Sequence, residues 1–296
     1  MAEVNRVSLV TESIACLPED EVKNLEITVV PVPFEYAGKE YLDGVDITSA
    51  EFNRMLSPEL PPAVTSAPSP GTYLQEFRRL ANEGHEVLCV SPTPEVTRMH
   101  EAAKQGRILA QEEGIETRIE VLDSGTATMA QGFVVREAAR LAKNGASMEE
   151  VLERARRISE RVGLLVTLDT LDYLAKTARI PRIGALFGKA LQIKPVISFG
   201  QGKVEPLERP RSRKRSISRL LDLVEERLRG DGPLHIAVQH ANALEEAEDL
   251  RNLVTSRFQP EEVLITEFSP VMSSYTGPGL LGLAFYEDPN GSGASS

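Results

Sequence analysis

The chain has 296 residues, 41% hydrophobic and 26% charged, the composition of a soluble globular protein with material for one large or two ordinary domains. Its 33 Lys and Arg against 44 Asp and Glu give a net charge of −11, which opposes general nucleic-acid binding. Cys16 and Cys89 form no Cys-x-x-Cys, and His85, His100, His235 and His240 show no metal-ligand spacing, so neither a disulfide scaffold nor a zinc site is expected.

The opening Met1-Ala2-Glu3-Val4-Asn5-Arg6 has no apolar signal core, and no later run approaches the roughly 18 apolar residues of a membrane span, which predicts a cytoplasmic protein. Residues 6–10 predict a strand. Thr11-Glu12-Ser13 then places hydroxyls and a carboxylate at its C-terminal end, where open α/β sheets bind ligands. Residues 27–32 and 34–36 are β-branched and aromatic but interrupted by Pro31 and Pro33, as in an edge or irregular pair. Thr48-Ser49-Ala50-Glu51 is a capping box with Ile47 and Phe52 as its hydrophobic staple, so a helix runs to about residue 56, where Pro58, Pro61 and Pro62 stop it.

Thr65-Ser66-Ala67-Pro68-Ser69-Pro70-Gly71 puts short hydroxyls on a bend that enters a helix. Pro68 pushes Ala67 towards an extended conformation, Ser69 is a good N-cap, and Pro70 suits the first helical position. Tyr73, Phe77, Leu80 and Ala81 form the packing stripe, leaving Thr65 and Ser66 just before the positive helix end. Such a bend suits a carboxylate or phosphate, and a merely well-capped helix carries the same signature.

Val87-Leu88-Cys89-Val90 predicts a central parallel strand with Cys89 in the core. After Ser91-Pro92-Thr93-Pro94 comes a helix with Met99, Ala102, Ala103, Gly106, Leu109 and Ala110 on one face and Thr97 near its start. Residues 119–122 form a strand ending in Asp123-Ser124-Gly125-Thr126, again hydroxyls and a carboxylate leading into a helix, and Ser147-Met148-Glu149-Glu150 opens a boxed helix to about residue 161. A strand over 163–168 and a change of character beyond it predict domains 1–162 and 163–286, with a frayed tail at 287–296.

In the second half, short helical pieces are expected around Leu171-Asp172-Tyr173-Leu174 and Ile183-Gly184-Ala185-Leu186-Phe187. Residues 191–199 are mostly apolar around Lys194 and Pro195, and Gly200-Gln201-Gly202-Lys203 reads as a hairpin turn. Arg209, Arg211, Arg213, Lys214, Arg215 and Arg219 run into a helix whose stripe is Ile217, Leu220, Leu221, Val224 and Leu228, so these charges read as a solvated face with one or two turning inward. A strand at 234–238, a helix at 244–254 and a strand at 263–268 follow. Tyr275-Thr276-Gly277-Pro278-Gly279 is a glycine-rich turn that lets backbone approach a ligand, ahead of an apolar run at 280–285.

By their order and spacing, seven stretches resemble the DegV family, bacterial proteins that bind a long-chain fatty acid and present its carboxylate to a separate fatty acid kinase. They are Tyr41-Leu42-Asp43-Gly44-Val45-Asp46-Ile47, the Thr65–Gly71 stretch, Asp123-Ser124, Leu168-Asp169-Thr170-Leu171-Asp172-Tyr173-Leu174, Ile193-Lys194-Pro195-Val196, Arg211-Ser212-Arg213-Lys214 and Tyr275-Thr276-Gly277-Pro278-Gly279. The resemblance implies an α/β protein of two domains, each a mainly parallel sheet flanked by helices, with the acyl chain in an apolar tunnel and the head group near the interdomain cleft. It implies a lipid-binding rather than catalytic chain, without cofactor, partnered by a fatty acid kinase subunit and touching a membrane surface at most transiently.

The resemblance puts the carboxylate on Thr65 with Ser66, on Thr97, on Arg211 with Arg213 as competitor, and on Tyr275 with Thr276; Ser124, Arg98 and Gly277 are further candidates. Two positions depart from the family pattern. Arg98 replaces a glycine, adding either charge to the cradle or bulk that blocks it. Tyr275 replaces a histidine, keeping a hydrogen-bond donor without a charge near pH 7, so ligand retention is expected to vary little between about pH 5.5 and 7.5, with Arg211 the fixed cation near the head group. The sequence contains no Gly-x-x-x-x-Gly-Lys phosphate loop and no nucleophile elbow. The competing readings are a serine-dependent acyl hydrolase or transferase using Ser66 or Ser124 with Asp123 or a histidine, and a regulator whose basic run meets nucleic acid.

Overall fold

The computed structural model describes residues 6–176 and 193–289. In chain order it contains β1 (Val7–Glu12), a 3-10 turn (Ser13–Ala15), α1 (Glu19–Asn24), β2 (Thr28–Val30), β3 (Pro33–Tyr36), β4 (Lys39–Leu42), α2 (Ser49–Met55), β5 (Val64–Thr65), α3 (Pro70–Asn82), β6 (Glu86–Ser91), α4 (Met99–Glu112), β7 (Ile119–Asp123), α5 (Thr128–Lys143), α6 (Met148–Ser159) and β8 (Gly163–Thr167). After a 3-10 turn (Leu174–Lys176) come β9 (Val196–Gly200), β10 (Lys203–Glu208), α7 (Arg213–Glu225), β11 (Leu234–His240), α8 (Leu244–Phe258), β12 (Glu262–Glu267), α9 (Pro270–Thr276) and β13 (Leu281–Glu287). The helical piece expected at 183–187 and the tail residues 290–296 lie outside the described residues.

Strand alternation sorts the apolar residues into stacked layers. Val10, Val87 and Cys89 face α3 and α4, while Val7, Leu9, Leu88 and Val90 face α5 and α6. The opposite side of α5 and α6 meets Leu164, Val166, Ala237, Ala284 and Tyr286, whose strand neighbours Leu165, Ile236, Val238, Leu283 and Phe285 turn outward to α7 and α8. The order of layers is therefore helices, sheet, helices, sheet, helices, with α5 buried on nearly all sides between the two sheets. One apolar cluster runs through that middle layer, on both sides of residue 162.

The first sheet has the order β2-β1-β6-β7, and its pairs are parallel, as expected for strands buried on both faces. The second, in the order β10-β9-β8-β13-β11-β12, corrects the expectation of a mainly parallel sheet in each half, because only β11 and β12 pair in parallel. For one of these pairs the cause is local: β9 and β10 are joined through Gln201 and Gly202, both at positive φ (50° and 71°), and so short a turn returns the chain antiparallel.

A small third sheet, β4-β3-β5, holds Thr65 opposite Phe34 and packs Phe34, Tyr36 and Tyr41 on Phe52 of α2 and Val271 of α9. The capping boxes at Thr48 and Ser147 and the Ser69 cap with Pro70 form as expected. At the other end of the chain, Glu287 completes β13 and Asp288 is buried against Arg154, so these two belong to the packed structure and not to a frayed tail.

Candidate ligand-binding site

At the C-terminal ends of the first sheet's strands, under α9 and beside the second sheet, lies an apolar cavity with an open mouth. Ile14, Thr65, Val96, Thr97, Met99 and Ala127 wall one side; Val166, Leu168, Leu174, Ile197 and Phe199 wall the other; α9 supplies Val271, Met272, Tyr275 and Thr276. Among the described residues, the lining is apolar apart from the hydroxyls of Thr65, Thr97, Tyr275 and Thr276, and no charged side chain contributes to it. A slot of this make-up suits an apolar ligand with one polar end.

Thr65 and Tyr275 meet hydroxyl to hydroxyl. Thr276 instead donates to the Met272 carbonyl (3.1 Å), which commits its proton to its own helix. Thr97, two residues ahead of α4, lines the same space.

The structure does not bring the remaining candidates into this lining. Ser66 is exposed in a surface groove with Phe34, Tyr41 and Val64, because adjacent residues of an extended segment point to opposite faces. Arg98 is exposed at the N-cap of α4, neither charging nor blocking the cavity wall. Arg211 is exposed in a separate groove with Glu208, Arg209, Pro210, Ser212 and Arg215, and its competitor Arg213 pairs with Glu246 at 2.7 Å. Ser124 is buried and donates to the Thr126 carbonyl (3.3 Å). Gly277 has φ +71°, and a Cβ there would strike the Tyr173 ring; Gly279, at +83°, lies against Asp169. The glycines are thus required by close packing within the chain, where the sequence suggested approach to a ligand.

Two buried carboxyls support the site without lining it. Asp43 accepts from Ser13 Oγ (2.6 Å) and from the Val271 N–H (3.0 Å), tying β4 to the first turn of α9, and burial raises its pKa. The Asp43-Gly44 turn stood in the sequence without an assignable role. Glu12 ends β1 and accepts from Tyr73, Ser91 and Gln131. Burial pushes it from 4.5 up to about 7, and those three hydrogen bonds offset only part of the rise. The helix α9 itself was missed, although Ser269-Pro270 repeats the Ser69-Pro70 cap signal.

Among the described residues, the Ser66 and Ser124 hydroxyls form no hydrogen bond to a histidine; the serine–histidine contact present is Ser8 Oγ with His85 Nδ1 (2.8 Å), at the N-terminal end of β1. No cluster of three or more metal-binding side chains occurs among the described residues, and no helix there is long and apolar enough to cross a membrane.

Comparison with known proteins gives one consistent answer. Residues 6–288 match a family model described as an uncharacterised protein of the DegV family. A DegV domain-containing protein of Streptomyces coelicolor is 32% identical over 279 residues, covering 94% of this chain and 97% of that protein. Among solved structures, a fatty-acid-binding DegV family protein of Thermus thermophilus superposes with a TM-score of 0.87 at 28% identity, covering 96% of this chain and all of that one. A stearic-acid-binding protein of Eubacterium ventriosum gives a TM-score of 0.87 at 25% identity, covering 95% and 98% of the two chains.

Proposed function

The chain belongs to the DegV family, and on that premise we propose that it binds a long-chain fatty acid, with the acyl chain in the apolar cavity and the carboxylate at the hydroxyls of Thr65, Thr97 and Tyr275. The observation that carries this reading is the lining itself, which among the described residues is apolar and ends in hydroxyls. Each buried CH₂ contributes about 0.8 kcal/mol, so the chain supplies most of the affinity and the hydroxyls set its direction. Names of the structural relatives support the ligand class.

A finer proposal rests on the family resemblance: the protein acts in the cytoplasm as the non-catalytic binding subunit that offers the carboxylate to a fatty acid kinase. Arg211, in its separate groove, takes no part in the proposed head-group contact. Lipid extracted from denatured protein tests the binding reading: stoichiometric fatty acid is expected by mass spectrometry, whereas no extracted lipid together with no binding of added stearic acid contradicts it. Burst release of product from an activated acyl ester points instead to the serine hydrolase.

A further inference from the structure

Gln239 of β11 is fully buried, and among the described residues one end of its side-chain amide goes unused: Oε1 accepts from Thr128 Oγ1 (2.8 Å), whereas Nε2 has no hydrogen-bond partner. Turning the amide over exchanges donor for acceptor and still leaves one end unpaired, because Thr128 offers a single hydroxyl. Interiors seldom leave such a group unsatisfied, and a leucine or methionine would fill the place without that cost. Thr128 makes its contact from the first position of α5, directly after Ala127 of the cavity wall, at a φ of +53° that a β-branched residue rarely adopts.

The amide also stands close to the cavity. Val166, Gly282 and Gln239 lie side by side across β8, β13 and β11, on the face that meets α5. Two strand spacings, about 10 Å, therefore separate the backbone of Val166 from that of Gln239. Gly282 contributes no side chain to this row; a Cβ there would lie 3.0 Å from Val166 Cγ1 and 3.7 Å from Gln239 Cβ, so the valine leans over the glycine. Val166 is itself a residue of the cavity wall. In that row a single valine side chain is all that stands between the cavity and the unpaired amide.

We propose that the Gln239 amide is a second polar subsite of this cavity, one that receives a hydroxyl carried on the acyl chain, so that the preferred ligand is a hydroxylated long-chain fatty acid. The proposal rests on the fatty-acid reading above. A hydroxyl both donates and accepts, and so completes the amide in either orientation. Rotation of the Val166 side chain to another staggered position opens the row, since Gly282 presents nothing beyond it. A hydroxyl buried in a purely apolar slot loses its water without replacement and weakens binding; paired with Gln239 it satisfies two groups at once, and the unsubstituted chain becomes the one that leaves a polar group unpaired.

The test titrates delipidated protein with stearic acid and with a set of stearic acids carrying one hydroxyl each, at positions from the carboxyl end to the methyl end. At least one isomer is expected to bind several-fold more tightly than stearic acid, and Gln239→Met is expected to abolish that preference, read as the ratio of the two affinities. Stearic acid binding at least as tightly as every isomer overturns the proposal and leaves a buried water as the partner of the amide; so does a preference that persists in Gln239→Met. Stearic acid bound without preference defeats the subsite alone, whereas no binding of any of these acids defeats the fatty-acid reading and the subsite with it. Nitrogen-15 NMR of the assigned Gln239 side-chain amide decides the matter in unmutated protein should Gln239→Met fail to fold. Its resonances are expected to move with the preferred isomer well beyond any movement with stearic acid, and equal movement with both contradicts the assignment.

Discussion

The same helix, α5, meets two glutamates in opposite electrostatic surroundings, one buried and one partly exposed. Through Gln131 its first turn meets Glu12, whose side-chain donors among the described residues are neutral and which burial raises to about 7. Further along the helix, Arg136 is fully buried and binds Glu262 through both terminal nitrogens (3.0 and 2.5 Å), with His235 at 3.2 Å on the same carboxylate. Burial opposes ionisation there too, but hydrogen bonds from His235 and Arg136 hold Glu262 down at about 2. Burial alone therefore does not set the charge of a carboxyl in this molecule; a paired cation does. The charged end fastens the layers, with Arg154 joining Glu137 to Asp288, while the cavity end is built from groups that remain neutral.

The largest effect should come from breaking the charged end. Arg136→Met leaves the partly buried Glu262 with only its remaining partners and is expected to cost about 3 kcal/mol of stability in urea unfolding, without changing which ligand binds. A loss below about 1 kcal/mol would make the network ornamental.

The contrast sharpens further with pH. Glu262, lowered in the folded state, stabilises above its unfolded value of 4.5, and that contribution, roughly 2–3 kcal/mol, is lost as pH falls towards about 2. Glu12, raised in the folded state, behaves in reverse: unfolded chains release its proton near 4.5 and folded ones near 7, so stability declines as pH rises between those values, by roughly 3 kcal/mol in all. Urea midpoints across pH should show Glu262→Gln flattening the acid limb and Glu12→Gln the neutral one. Both variants altering the same limb would show that the two sites are not independent.

Smaller effects distinguish the hydroxyls. Thr65→Ala and Thr97→Ala should each weaken stearic acid binding by about 1–3 kcal/mol, the value of a hydrogen bond to a charged group. Thr276→Ala should change it by less than about 0.5 kcal/mol, because that hydroxyl already serves the Met272 carbonyl. Arg211→Ala should leave binding unchanged, and a loss matching that of Thr65→Ala would put the head group in the arginine groove after all.

Signals confined to one turn were legible in the sequence: the caps at Thr48, Ser69 and Ser147, the two-residue turn at Gln201, and the hydroxyls of Thr65 and Thr97 beside helix starts. What was not legible depends on facing. Ser66 follows Thr65 by one residue, and only the pairing of β5 with β3 decides which of them turns inward. Arg211 lies in a basic run whose inward members no periodicity identifies. Glu12 was visible as a carboxylate at a strand end, but its surroundings come from α3, β6 and α5, up to 119 residues away. The antiparallel course of the second sheet follows from connections that apolar strand patterns do not reveal.

The central claim is that the apolar slot itself captures the acyl chain. Stearic acid titration of delipidated protein at about pH 6.5, set against Val166→Phe, which fills the slot from β8, tests it most directly. Saturable binding of one fatty acid per chain is expected, weakened at least tenfold by Val166→Phe in a variant that stays folded; equal binding by the two proteins, or none by the unmutated one, would contradict the account.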